Sequence, residues 1–165
     1  MKPVIHDTTF IDKTAVIIGN VKIGKNCGIY PHAAIRGDQN LIEIDDGSNV
    51  QDCCVIHVDS DHKAIIGKNV SIGHLAMVHG ATIGNNCIIG IHATILNGSN
   101  IGEGSIIGAN ALVTSDMKIP ENSLVLGVPG KIIEQDKKFR EKAIANAEIY
   151  KKLSKKHKEN KFPRI

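Results

Sequence analysis

Aliphatic residues return at every sixth position through most of this 165-residue chain, and such self-similarity constrains the fold more than any local signal. Ile11, Ile17, Ile23, Ile29 and Ile35 open the series, which resumes at Ile44, Val50 and Ile56 and again at Ile66, Ile72 and Val78. After one step of five it runs on through Ile83, Ile89, Ile95, Ile101, Ile107, Val113, Ile119 and Val125. A period of six matches neither a helix, which repeats about every 3.6 residues, nor a half-buried hairpin strand, which alternates about every 2.

Four residues beyond most of these positions stands something small, among them Cys27, Ala33, Ser48, Cys54, Ala76, Cys87, Ala93 and Ser105. Gly often follows the aliphatic residue, where a tight turn favours it. With 27 Ile, three Phe, two Tyr and no Trp, the chain is suited to regular stacked β layers more than to a jigsaw of large rings. The pattern resembles that of the hexapeptide-repeat proteins. That resemblance implies a mainly β fold, a left-handed parallel β-helix with three flat faces and about 18 residues per coil. Strands stacked at about 4.8 Å would make residues 11–129 a prism of six to seven coils, roughly 30 Å tall. Two stretches exceed the period, Arg36 to Glu43 by three residues and His57 to Ile65 by four.

After Gly130 the spacing changes. Phe139, Ala143, Asn146, Tyr150 and Leu153 recur at helical intervals among Lys and Glu, which predicts an amphipathic helix over 134–157 folded back along the prism. The chain thus divides into a β-helix over 1–130 and a C-terminal helix and tail over 131–165, with a frayed end from Lys161. Residues 131–165 hold 12 of the 20 Lys and Arg and 5 of the 17 Asp and Glu, a net +7 against −4 for the remainder. Without interleaved aromatics or a nucleic-acid motif, this reads as a solvated helix face, with no nucleic-acid partner. No apolar run approaches the roughly 20 residues of a membrane span, and Met1 to Phe10 has no leader-like core, so a soluble cytoplasmic protein is expected. The four Cys, in no CxxC arrangement, are expected as reduced thiols.

Three hexapeptides bring the chain back to the same face, so phase in the repeat gives geometry. Arg36, His57 and His79 each follow their aliphatic residue by one and form a column in successive coils, with the two imidazoles within about 5 to 7 Å, close enough to share a metal. Gln51, Asp52 and His74 form a second column on the neighbouring face. A symmetric trimer setting one face against the next chain's neighbouring face would bring His74 to the other two. His6, His32, His92 and His157 are expected as solvated side chains.

The strings IRGDQ (35–39), NVQDCCVIH (49–57) and GHLAMVHG (73–80) resemble the signature of the γ-class carbonic anhydrases, also known as ferripyochelin-binding-like proteins. The resemblance implies Zn2+, or Fe2+ or Co2+ in its place, bound by His57 and His79 of one chain and His74 of the next in a homotrimer. It further implies an Arg36–Asp52 ion pair across that interface with Asp38 beside it, and Gln51 orienting the attacking oxygen with support from Asn49. Tyr150 falls where the family places a tyrosine near the site. Two departures stand out. Gln39 replaces a Glu, and the acidic loop after the first ligand is cut to Val58-Asp59-Ser60-Asp61-His62, which leaves His62 as the candidate proton shuttle.

The implied function is reversible hydration of CO2 to bicarbonate, with water activated at a metal held by three imidazoles. Two alternatives stay open: a hexapeptide-repeat acyltransferase using a histidine base without metal, and a metal-binding or assembly protein with little catalysis.

Overall fold

The computed structural model describes residues 1–163; Arg164 and Ile165, at the end of the expected frayed tail, lie outside the described residues. Each aliphatic position of the repeat lies in a strand, and from Ile23 onward its side chain is buried in the axis of the coil. Phe10–Ile11, Gly28–Ile29, Asn49–Val50, Ser71–Ile72, Ile88–Ile89, Ile106–Ile107 and Ser123–Leu126 stack in parallel on one face. The first halves of Val16–Ile23 and Ala34–Ile44, followed by Val55–His57, Met77–His79, Thr94–Ile95 and Leu112–Val113, make the second. Val4–Ile5, the second halves of the same two long strands, Ala64–Ile66, Thr82–Ile83, Asn100–Ile101 and Lys118–Ile119 make the third. The result is a left-handed parallel β-helix of the hexapeptide type.

The core is a column of isoleucines. Ile29, Ile35, Ile56, Ile72, Ile89, Ile95, Ile101 and Ile107 are all inaccessible to solvent, and each contributes roughly 1.5–3 kcal/mol relative to exposure. Corners leave little room, and there the small residues sit, with Cys27, Ala33, Ser48, Cys54, Cys87, Ala93 and Ser105 buried. Turning so sharply requires left-handed backbone, which Asn26, Asn69, Asn86, Asn110 and Asn122 adopt at little penalty. Between coils the backbone is satisfied by parallel hydrogen bonds such as Gly73 N–H to Ile89 O, 2.8 Å, and Gly90 N–H to Ile107 O, 2.7 Å.

Both insertions are well anchored. The first rides on the long strand Ala34–Ile44, where Gly37 pairs with Gly19. A Cβ on Gly19 would stand 2.3 Å from the Gly37 carbonyl oxygen, so only glycine permits this approach. The second insertion is pinned by buried Val58 and Ala64, while the Asp59 carboxylate accepts the backbone N–H groups of Asp61 and His62 at 2.9 and 2.7 Å.

The C-terminal segment departs from expectation at its start. Lys131–Gln135 is a strand, antiparallel to Ser123–Leu126, and the helix α1 spans Lys138–Lys158. The last coil would otherwise expose an unpaired strand edge, and this strand covers it. Helix α1 buries Phe139, Ala143, Ala147 and Ser154 and lies along the first face, against strands from Phe10–Ile11 to Ser71–Ile72. A Cβ on Gly28 would stand 2.2 Å from Ser154 Oγ, so this glycine sets how closely α1 approaches. Phe10, Tyr30 and Tyr150 gather with His157 outside the prism. Tyr30 meets Phe10 and Tyr150 edge-on, each at 5.7 Å, and His157 stacks on Phe10 at 4.9 Å. His157 is therefore a packed residue, contrary to its expected solvated role. None of the helices among the described residues is long and apolar enough to cross a membrane.

Candidate metal centre

The strand ladder aligns Arg36 with His57 and His57 with His79. The two imidazoles lie with ring centroids 4.9 Å apart and planes at 65°, and His57 Nδ1 is 3.0 Å from His79 Nε2. A strand ladder carries both side chains, so their spacing is a property of the fold and not of a mobile loop. Asp38, supplied by the first insertion, places Oδ1 3.0 Å from His57 Nε2, while its other oxygen pairs with the Arg36 guanidinium. Arg36, and then His57, hold the Asp38 carboxyl below the usual carboxylate range.

The hydrogens of His79 follow from its other neighbours. Asn97 Oδ1 lies 2.5 Å from His79 Nδ1, and Asn97 Nδ2 donates to Asp59 Oδ2. Asp59 also takes the His62 ring nitrogen Nδ1 at 2.9 Å. Partial desolvation works against ionisation of Asp59, yet the backbone and ring hydrogen bonds from His62 outweigh it and lower its pKa.

The second column holds the remaining residues. His74 Nδ1 is 2.8 Å from Asp52 Oδ2, so the carboxylate fixes the ring and leaves Nε2 facing outward. Buried Gln51 donates Nε2–H to Asn49 Oδ1 at 3.0 Å, and Asn49 donates in turn to Ser71 Oγ at 2.9 Å. The Gln51 carbonyl oxygen is thereby the end of that side chain left to accept. Tyr150, half-buried on α1, has its pKa raised by desolvation first, then by the Asp52 charge.

One chain therefore brings together Arg36, Asp38, His57, His79 and, through Asp59, His62; separately it brings together Asn49 and Gln51, and Asp52 and His74. Within one chain Arg36 meets Asp38, while Asp52 meets His74. Among the described residues, no three His, Cys, Asp or Glu side chains of one chain are placed to hold an ion. The donor chemistry still suits a divalent cation, because His57, His74 and His79 each set one ring nitrogen against a protein oxygen, and the remaining nitrogens of His57 and His79 face each other 3.0 Å apart, close enough to share one ion. Asp59 and Asn97 are additions that sequence reading missed. Their one signal is that Asn97 lies 18 residues, a full coil, beyond His79.

Comparison with known proteins identifies the family of the chain. The family model for bacterial transferase hexapeptide (six repeats) matches residues 2–37 and 80–115. A protein of Methanocaldococcus jannaschii named "Probable carbonic anhydrase" is 54% identical over 145 residues, 87% of this chain and 91% of that one. The carnitine operon protein CaiE of Escherichia coli O157:H7 is 39% identical over 94 residues, 57% of this chain and only 48% of CaiE. Among solved structures, a hexapeptide transferase family protein from Anaplasma phagocytophilum superposes with a TM-score of 0.88 at 35% identity, covering 92% of this chain and 90% of that one. With a relative this similar along nearly its whole length, the chain belongs to the γ-class carbonic anhydrase-like family of hexapeptide-repeat proteins.

Proposed function

We propose that this protein is a cytoplasmic homotrimeric metalloenzyme that interconverts CO2 and bicarbonate at sites built between subunits. The observation that carries the reading is the strand-borne His57–His79 pair, nitrogens 3.0 Å apart, together with a third imidazole, His74, already oriented by Asp52. The trimer supplies what one chain lacks. Apolar side chains flank both columns at solvent-facing positions: Val16, Val55 and Met77 are 49, 37 and 40% exposed beside the first, and Leu75 and Ile91 are 49 and 48% exposed beside the second. Such stripes suit a second copy of the same surface pair. In the assembled site Arg36 would reach Asp52 of the neighbour.

Zn2+, or Fe2+ or Co2+, held by His57, His79 and the neighbour's His74 would supply Lewis acidity, bringing the pKa of water to about 7. The chain's own residues do the rest. Gln51, its amide nitrogen committed to Asn49, offers its oxygen to orient an attacking O–H. Tyr150 would border the site from α1, its hydroxyl under the influence of the Asp52 charge. Hydration of CO2 releases a proton, and His62, partly exposed and tied by Nδ1 to Asp59, would pass it to buffer. The prism over 1–130 acts as the rigid part and 131–165 as the arm that delivers Tyr150.

A competing reading is metal-independent acyl transfer, favoured by the likeness to a hexapeptide transferase family structure. Elemental analysis of protein purified without air, followed by stopped-flow CO2 hydration after restoring each metal, separates the two. About one divalent ion per chain with metal-dependent hydration is the expected result. Protein free of metal at neutral pH, with no hydration on adding Zn2+, Fe2+ or Co2+, would overturn the proposal.

A further inference from the structure

Three ring nitrogens must be unprotonated to bind one cation, and a neutral imidazole has only one such nitrogen, chosen by whatever the other nitrogen touches. For His79 that choice is made two residues away in a hydrogen-bond chain. Asp59 Oδ1 accepts from two backbone N–H groups and the His62 ring, and Oδ2 accepts from Asn97. An ionised carboxylate can only accept, so the Asn97 amide must turn its NH2 end toward Asp59. Its oxygen then faces His79 Nδ1 at 2.5 Å, and that nitrogen must carry the proton. The lone pair is left on Nε2, which faces His57 Nδ1 at 3.0 Å; Asp38 holds the His57 proton on Nε2, so both facing nitrogens offer lone pairs and a cation, metal or proton, must lie between them.

We infer that the Asp59–Asn97 pair is the positioning device that locks His79 in its Nδ1–H tautomer and so prepares Nε2 for the metal. The inference rests on the metal-site reading above and deepens it, since neither residue belongs to the ligand set or to the Gln51 and Asp52 columns. Its parts come from different places. Asp59 is delivered by the inserted loop after His57, and Asn97 by the regular coil above His79. The loop thereby does more than lengthen a corner: it ties two coils together through one amide whose orientation has a chemical consequence.

Two substitutions separate tautomer control from simple packing. In Asp59→Asn the new amide carries an oxygen that must still accept the Asp61 and His62 backbone N–H groups, so its NH2 faces Asn97. Asn97 then flips, presents NH2 to His79 Nδ1, and drives the ring to the Nε2–H form, which blocks the metal nitrogen. In the swapped double variant Asp59→Asn/Asn97→Asp, the carboxylate at 97 accepts from both sides and restores the Nδ1–H form. Fold, charge count and volume are nearly unchanged in the swap, so recovery in it is not expected of a merely structural pair.

The test is made on the full chain with 15N-labelled histidine. Long-range 1H–15N spectra of metal-free protein at about pH 8.5, well above the ordinary imidazole range near 6.5, report the tautomer of His79. Competition with a chromophoric chelator reports Zn2+ affinity. Wild type and the swap should show Nδ1–H, while Asp59→Asn should show Nε2–H and bind Zn2+ about ten- to a hundredfold more weakly. Wild type in which His79 Nδ1 is unprotonated, or Asp59→Asn with unchanged tautomer and affinity, would overturn the inference. Wild type that shows Nδ1–H yet binds no Zn2+ would instead sink the metal-site reading.

Discussion

Sharing of the site between chains can be tested by arithmetic. His57 and His79 are register partners on adjacent strands, and His74 is tied to Asp52 on the other column. Homotrimers of His57→Ala or of His74→Ala therefore lack one ligand at every site and should be nearly inactive. Suppose the two variants are unfolded together, refolded one to one and assembled at random. A complete site needs His57 and His79 from a His74→Ala chain, met in roughly half the cases, and His74 from a His57→Ala neighbour, again in half, so about one site in four is intact. Native mass spectrometry of a mass-tagged variant confirms the mixed trimers. Both Zn2+ content and stopped-flow CO2 hydration should then return to roughly a quarter of wild type. Mixing His57→Ala with His79→Ala is the control, because both ligands come from the same chain and no combination restores a site. Verified mixed trimers without recovery, or recovery in the control, would refute the two-column assignment.

Other perturbations probe the frame around that site. Ile56, inaccessible and stacked between Ile35 and Val78, should lose about 2–5 kcal/mol on truncation to Ala by urea titration, and a loss under about 1 kcal/mol would mean the coil collapses around the hole. Burial pushes the Cys27 thiol up to about 11 and the Cys54 and Cys87 thiols up to about 12. Raised folded values mean that the stability they contribute is fully present below the ordinary thiol value of 9.0 and is lost as pH rises through 11 to 12. The urea midpoint should fall over that window, and all three thiols should resist alkylation in native protein at pH near 9; rapid labelling of Cys54 would contradict their placement. His62→Ala should slow CO2 hydration in dilute buffer and be rescued by added imidazole, whereas an unchanged buffer dependence would remove His62 from proton transfer.

Backbone register was legible in the sequence and side-chain partnership was not. The period of six places the inward aliphatics of the regular coils, though not Ile42 and Val58 in the insertions, and it aligns Arg36, His57 and His79 because register in a coil is a matter of counting. The same counting puts Cys27, Cys54 and Cys87 at buried corners. Partnerships depend on rotamers and on contacts between distant segments. That Asp38 turns back onto Arg36 and His57, or that Asp52 engages His74, is decided by which neighbour is nearest once the loop is shaped. Strand Lys131–Gln135 was hidden for a related reason: its five residues are all exposed, so no burial pattern marks it, and it exists because the last coil needs an edge covered. His157 looks solvated by spacing alone, and only the packing of α1 against Phe10 and Tyr30 makes it otherwise.

A regular solenoid makes every coil equivalent, and equivalent coils cannot by themselves make one position reactive. The ladder can set two imidazoles a fixed distance apart, but it repeats the same offer at every level. Chemistry requires a break in the repeat, and both insertions in this chain adjoin the His57–His79 pair. The first insertion supplies Asp38 against His57, and the second supplies Asp59 and His62 on the far side of His79. Regular coils above and below keep those loops from collapsing, since Val58 and Ala64 tie the second loop into the core and the Gly19–Gly37 contact holds the first against its neighbour. Stiffness comes from the repeat and reactivity from its interruptions, so shortening either loop to the plain period should leave a stable β-helix that has lost the means to orient its histidines.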